Sequence, residues 1–246
     1  YKGFISHLQV FCDERDYVLD RSAFDNEYSP ITEEEAIDFI NSLNLPHEYR
    51  QAQLEAFLHG VNENRMTLIS PTASGKSMIA YMFCRWHKRK RKLIVVPTTG
   101  LVLQMVNDFA SYGAKPELIH TIMEGKDKNT RSEVTVSTWQ SIHNLPAAWF
   151  EQFDVIIGDE VHHFKADCLK KIMEKSGNAK HRYGMTGSLD DSLTNRTVLE
   201  GLFGRCVKFT STAQLMEEGH VAKIKINCVV FAHPESDRKK MYRKKY

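Results

Sequence analysis

The chain opens on loose apolar alternation in "FISHLQVF", residues 4–11, which suits a strand or a short helix, and a polar loop then runs to Pro30. From Ile31 the spacing becomes helical. Thr32 and Glu35 stand at capping-box separation, Ile31 can staple onto Ala36, and Ile37, Ile40 and Leu43 recur on one face, which predicts a helix of about three turns. Pro46 divides it from a second predicted helix over residues 47–63, whose apolar stripe runs through Tyr49, Leu54, Phe57, Leu58 and Val61. From Met66 the period changes. Short apolar runs at 66–70, 92–97, 118–123, 134–138, 154–158 and 182–187 read as strands, and Ser77–His87, Leu101–Tyr112, Ala166–Lys175 and Asn195–Leu202 read as helices between them. Strand and helix in alternation predict an α/β fold: a mainly parallel sheet with helices on both faces, right-handed crossovers, and ligands outside the carboxyl ends of the strands.

Composition narrows the picture without redirecting it. The 246 residues are 42% apolar and 26% charged, enough for one main core and a smaller appendage and unlike a disordered chain. A net charge of +2 identifies no partner by itself. Cys12, Cys84, Cys168, Cys206 and Cys228 are odd in number and form no C-x-x-C pair, so they read as free thiols of a reducing compartment. No apolar run approaches the roughly 18 residues of a membrane span, and no signal-peptide pattern opens the chain. A soluble, intracellular protein is expected. Its first residue, tyrosine, and its charged end suggest a piece of a longer protein.

Chemistry enters at "SPTASGKS", residues 70–77, between a predicted strand and a predicted helix. Backbone N–H groups of such a loop and of the first helical turn converge on one point, where the helix dipole adds positive potential, so the corner favours an anion. Lys76 would reach β and γ phosphates, and the Ser77 hydroxyl would ligate Mg²⁺. Ser70 stands where the general phosphate-loop pattern has its first glycine, and Gly-Lys-Ser alone can be a helix start without chemistry. The second signal is "FDVIIGDEVHHF", where an apolar strand ends at Gly158 and Asp159 and Glu160 come directly after it. A strand parallel to 66–70 puts both acids on the edge that carries Lys76; one can then hold Mg²⁺ while the other orients and deprotonates a water.

These residues carry a resemblance. "DEVH" is similar to the D-E-x-H box, and "SPTASGKS" to the [AS]-P-T-G-S-G-K-[ST] loop, of superfamily 2 helicases, with Ala73 in place of a glycine. "YRQAQ" resembles the R-x-x-Q adenine-recognition element, which implies Gln53 on the adenine edge and Arg50 beside it. "VVPTTGLVLQ" and "VSTWQSI" resemble strand-contact motifs, implying nucleic-acid contacts from Pro97, Thr98, Gln104, Thr138 and Gln140. "GMTGSL" stands in the place of the S-A-T coupling motif, implying that Thr186 and Ser188 with His162 link hydrolysis to strand movement; Gly187 departs from that pattern. The loop residues Thr72, Ala73, Ser74, Gly75, Lys76 and Ser77 would then hold ATP, Lys76, Asp159 and Glu160 would be catalytic, and Ser77 and Asp159 would hold Mg²⁺.

Order and spacing, from about Leu8 to Asn227, are most similar to the UvsW-type phage recombination and fork-remodelling helicases. That branch implies a RecA-like first motor lobe driven by ATP, acting on branched DNA, forks, R-loops or RNA–DNA hybrids, as a monomer in the cytoplasm, which is the host's if the protein is phage-encoded. The implied division is a remnant of an N-terminal DNA-binding module over 1–30, a helical lead-in over 31–64, the lobe over 65–231 and a basic linker over 232–246 towards a second lobe. Lacking that lobe, this piece would hydrolyse ATP poorly. A nucleotide-gated scaffold, or the motor subunit of a restriction complex, would use the same loop.

Other features are weaker. "RWHKRKRK", residues 85–92, falls at the sheet edge away from the loop and reads as a solvated helix end. His162 and His163 lack the i, i+4 spacing of helical metal pairs. Trp139 could stack on a base or fill a core, and Ser188 and His181 come without a G-x-S-x-G elbow.

Overall fold

A computed structural model gives the fold and describes residues 2–20, 30–123, 125, 127–189, 193–223 and 227–228. The expected linker over 232–246 lies outside the described residues. A 3₁₀ turn, Lys2–Phe4, leads into α1 (Ile5–Asp13), and α2 (Glu33–Ser42) and α3 (Gln51–Glu63) come next. The alternating part runs β1 (Arg65–Ile69), α4 (Lys76–Trp86), β2 (Lys92–Val96), α5 (Thr99–Ser111), β3 (Ile119–Ile122), β4 (Val134–Thr138), α6 (Trp139–Ile142), α7 (Ala147–Phe150), β5 (Val155–Gly158), α8 (Ala166–Lys175), β6 (His181–Thr186), α9 (Leu193–Leu202), β7 (Cys206–Val207) and α10 (Thr212–Glu217).

All six predicted strands form within a residue or so of the expected limits, and the capping box on α2 forms as its spacing predicts, Thr32 accepting from Glu35 N–H and Glu35 from Thr32 N–H. The opening segment resolves as helix. Two-residue β7 and short α6, α7 and α10 went unforeseen, although Ser211 and Gln214 carry the same capping-box spacing ahead of α10.

The sheet has the order β3-β4-β2-β5-β6-β1-β7, with every neighbouring pair parallel. The central strands β2 and β5 are buried on both faces and apolar nearly throughout, and their side chains alternate between two cores. Ile94, Val96, Val155, Ile157, Met66 and Leu68 enter the core under α2 to α5, whereas Leu93, Val95 and Ile156 enter the one under α6 to α9. The first core is aromatic at its centre, where Phe83 stacks on Tyr183 with centroids 3.9 Å apart.

Facing Gly158 and Gly184, registered partners on β5 and β6, lies the fully buried ring of Phe203. A Cβ at Gly158 would come 2.5 Å from Val161 Cγ1 and 3.0 Å from the Phe203 ring. Gly158→Ala is therefore expected to cost about 1–3 kcal/mol by overpacking, read as a lower urea midpoint at unchanged m.

The N-terminal segment packs on α9. A Cβ at Gly3 would sit 1.9 Å from the Glu200 carbonyl oxygen, and His7 Nε2 lies 3.4 Å from the Glu200 carboxylate. The basic run departs from expectation at one end. Arg85, Lys88 and Arg89 are exposed, but Lys92 opens β2, is wholly buried and pairs with Glu133. Strand pairing draws it inward, and the carboxylate offsets the desolvation of its charge.

Candidate active site

β1, β5 and β6 are parallel and adjacent, so the segments leaving their carboxyl ends gather at one edge of the sheet. After β1 the loop turns at Ala73 (φ 65°) and Gly75 (φ 81°), and α4 begins at Lys76. The first N–H groups of a helix have no partner within it and face outward along its axis. Two side chains of the lead-in hold the loop from behind: Arg50 Nη1 donates to the Ala73 carbonyl at 2.8 Å, and Gln53 Nε2 donates to the Ser74 carbonyl at 3.0 Å. Gln53 is buried, and its carbonyl oxygen accepts from Arg50 N–H, so both ends of its amide are committed. The left-handed Ala73 is strained and solvent-facing. Ala73→Gly relieves that strain while loosening the unfolded chain, so the thermal midpoint is expected to move by no more than about 3 °C; a larger fall would show that the methyl group is packed.

Lys76 Nζ stands 3.0 Å from Glu160 Oε1 and donates to the Ser70 carbonyl at 3.2 Å. Gly187 N–H donates to Glu160 Oε2 at 3.2 Å, and His162 Nδ1 lies 3.5 Å from that oxygen. Burial would raise the Glu160 carboxyl, but the Lys76 hydrogen bond and charge, with Gly187 and His162, outweigh it and hold the group below the usual carboxylate range. Asp159 is treated in the opposite way. Desolvation first and the neighbouring Glu160 charge second push it up to about 6, against the pull of Lys76. Two adjacent acids thus have different proton affinities, one buried and one paired. Glu160 itself sits at φ 48°, in the left-handed region, and such strain concentrates at functional positions.

Between the loop and α5 lies a cavity of about 210 Å³ lined by residues 71–77, Leu101, Gln104, Met105, Asp108, Asp159 and Glu160. Among the described residues the buried Ser74 hydroxyl has no hydrogen-bond partner, a group an anion in the loop could satisfy. The Ser77 hydroxyl and the Asp159 carboxyl on this cleft fit Mg²⁺ bound largely through substrate phosphates and water.

The loop residues, Lys76, Ser77, Asp159 and Glu160 come together as the sequence suggests. Thr186 hydrogen-bonds His162 Nδ1 and donates to the Ser188 carbonyl, so the residues expected to couple hydrolysis to movement form one chain onto Glu160. The strand-contact residues divide. Gln140 Nε2 donates to the Pro97 carbonyl at 3.0 Å, Thr138 ends β4, and Thr98, two residues past the neighbouring strand β2, caps α5. Gln104, grouped with them by resemblance, lines the cleft together with residues 101, 105 and 108 on one face of α5. Asp108 and Tyr112 were not anticipated; the Tyr112 hydroxyl lies 3.0 Å from Ser77 Oγ, a contact between elements that no local spacing announces.

A family profile described as type III restriction enzyme, res subunit, matches residues 35–191. The chain is 30% identical over 260 residues to the ATP-dependent DNA helicase uvsW of Enterobacteria phage T4, an alignment covering 99% of this chain and 51% of that protein. It is 28% identical over 209 residues to the DNA 3'-5' translocase XPB2 of Sulfurisphaera tokodaii, covering 82% and 45%. A crystal structure of the T4 UvsW helicase superposes with a TM-score of 0.74 at 27% identity over 84% of this chain and 78% of that one. The chain spans about half the length of the curated relatives it matches. With the parallel RecA-like sheet, the lysine loop and the Asp-Glu box on one edge, the chain belongs to the family of the type III restriction enzyme res subunit, within the superfamily 2 helicases.

Proposed function

We propose that residues 65–231 form the first motor lobe of an ATP-dependent DNA helicase or translocase, binding Mg-ATP at the edge where β1, β5 and β6 end and a nucleic-acid backbone at Pro97, Thr98, Thr138 and Gln140. The carrying observation is the Lys76 ammonium 3.0 Å from the Glu160 carboxylate, with Asp159 and Ser77 lining the same cleft. Bound magnesium supplies charge neutralisation on the phosphates. Lys76 and the N–H groups of residues 73–77 bind and orient the β and γ phosphates, and Ser77 and Asp159 hold the cation. Glu160, kept ionised, orients the attacking water and accepts its proton. The engagement of Lys76 with Glu160 means that drawing the ammonium onto phosphate leaves the carboxylate free to act. Arg50 and Gln53 support the loop and stand beside the adenine.

Branched DNA, forks and R-loops are the proposed substrates, and monomeric action in the cytoplasm the proposed setting. Among the described residues no helix is long and apolar enough to cross a membrane. The test is ATP hydrolysis by the full-length protein with and without DNA: stimulation lost in Lys76→Ala is expected, and hydrolysis indifferent to any polynucleotide would remove the motor reading. The family profile favours a second reading, a restriction-complex subunit that translocates without unwinding. Strand separation on fork and R-loop substrates discriminates the two.

A further inference from the structure

The outer contact of the proposed magnesium ligand comes from Tyr112, the residue that closes α5. We propose that Tyr112 is a positioning residue for the cation, orienting the Ser77 hydroxyl from a distance of 3.0 Å; the inference rests on the nucleotide-site reading above. A hydroxyl oxygen that gives a lone pair to a cation keeps its proton, and that proton needs an acceptor. The Tyr112 oxygen is placed to take it, leaving Ser77 to offer lone pairs to the cleft it lines. The phenol is itself fixed. Its ring lies 5.6 Å from Tyr81, which meets the buried Phe109 ring edge-on at 5.3 Å. With phenylalanine at position 112 the Ser77 hydroxyl can turn to another staggered position or to a carbonyl of its own helix. One turn earlier on α5, Asp108 also faces the cleft. The helix that begins at Thr99, next to the proposed strand contacts, thus ends against the metal ligand.

The experiment is calorimetric binding of a non-hydrolysable ATP analogue to full-length protein across a Mg²⁺ titration and in EDTA, comparing wild type with Tyr112→Phe. The expected result is a roughly tenfold higher half-saturating Mg²⁺ concentration, unchanged binding in EDTA, and no further effect of Tyr112→Phe in a Ser77→Ala background. Unchanged Mg²⁺ dependence, equal weakening in EDTA, or an additive effect in the Ser77→Ala background would each overturn the proposal. Full retention of analogue binding by Lys76→Ala would instead overturn the nucleotide-site reading, so the two failures are distinguishable.

Discussion

Glu160→Gln in the full-length protein is expected to lower DNA-stimulated ATP hydrolysis by roughly 10²- to 10⁴-fold while leaving nucleotide affinity within about a factor of three. The substitution is isosteric, so Gly187 N–H keeps an oxygen to donate to. The losses are the charge that pairs with Lys76 and the capacity to accept a proton. Because Lys76 and the N–H groups of residues 73–77 remain, the phosphates keep their binding groups and the effect falls on turnover. Lys76→Ala is predicted to differ in kind: it removes phosphate binding and leaves Glu160 without its cation, so affinity falls with rate. Turnover in Glu160→Gln within tenfold of wild type would take the water-activating role away from that carboxylate.

The second large effect is an acid lability placed far from the cleft. At the opposite edge of the sheet, His87 Nε2 bonds the Tyr183 hydroxyl at 2.8 Å, His181 Nδ1 bonds Asn64 Oδ1 at 2.6 Å, and the two imidazoles lie 4.1 Å apart. Desolvation, then the charge of His181 and those of Lys90 and Lys92, push His87 down to about 2. Desolvation, then Lys90, Arg65 and Lys180, push His181 down to about 4. Both are neutral in the fold, whereas an unfolded chain binds protons below about pH 6.5, so unfolding takes up protons and stability falls as pH drops from 6.5. At pH 5 each imidazole is worth about 2 kcal/mol, so a loss of about 4 kcal/mol relative to pH 7.5 is expected from the pair. Urea unfolding at the two pH values checks it, with His181→Gln expected to halve the difference. An identical pH slope in that variant would sink the assignment.

How far the sequence reaches can be judged from these same residues. Strand runs such as 92–97 were legible because burial on both faces demands continuous apolar side chains, and the lysine loop because phosphate chemistry constrains consecutive residues. The capping box of α2 is equally local. The features that stayed hidden depend on contacts between distant segments. Tyr112 reads as an ordinary helix end until α5 is laid beside α4, and Lys92 reads as one cation in a basic run until β2 pairs with β4 and brings Glu133 to it. Gln104 fits its motif, yet the helical period turns it into the cleft. Two-residue β7 is too short to show any period.

The strand order also dictates when the cleft can exist during synthesis. β1 borders only β6 and β7, so Ile69 meets Thr186 and no earlier neighbour. The phosphate loop therefore leaves the ribosome roughly ten seconds ahead of the strand that anchors it, at translation speeds of about 10 residues per second. Nascent chains arrested before β6 should be protease-sensitive around residues 65–77 and blind to nucleotide, however complete their β2–β5 half, and a chaperone's occupancy would be concentrated in that interval.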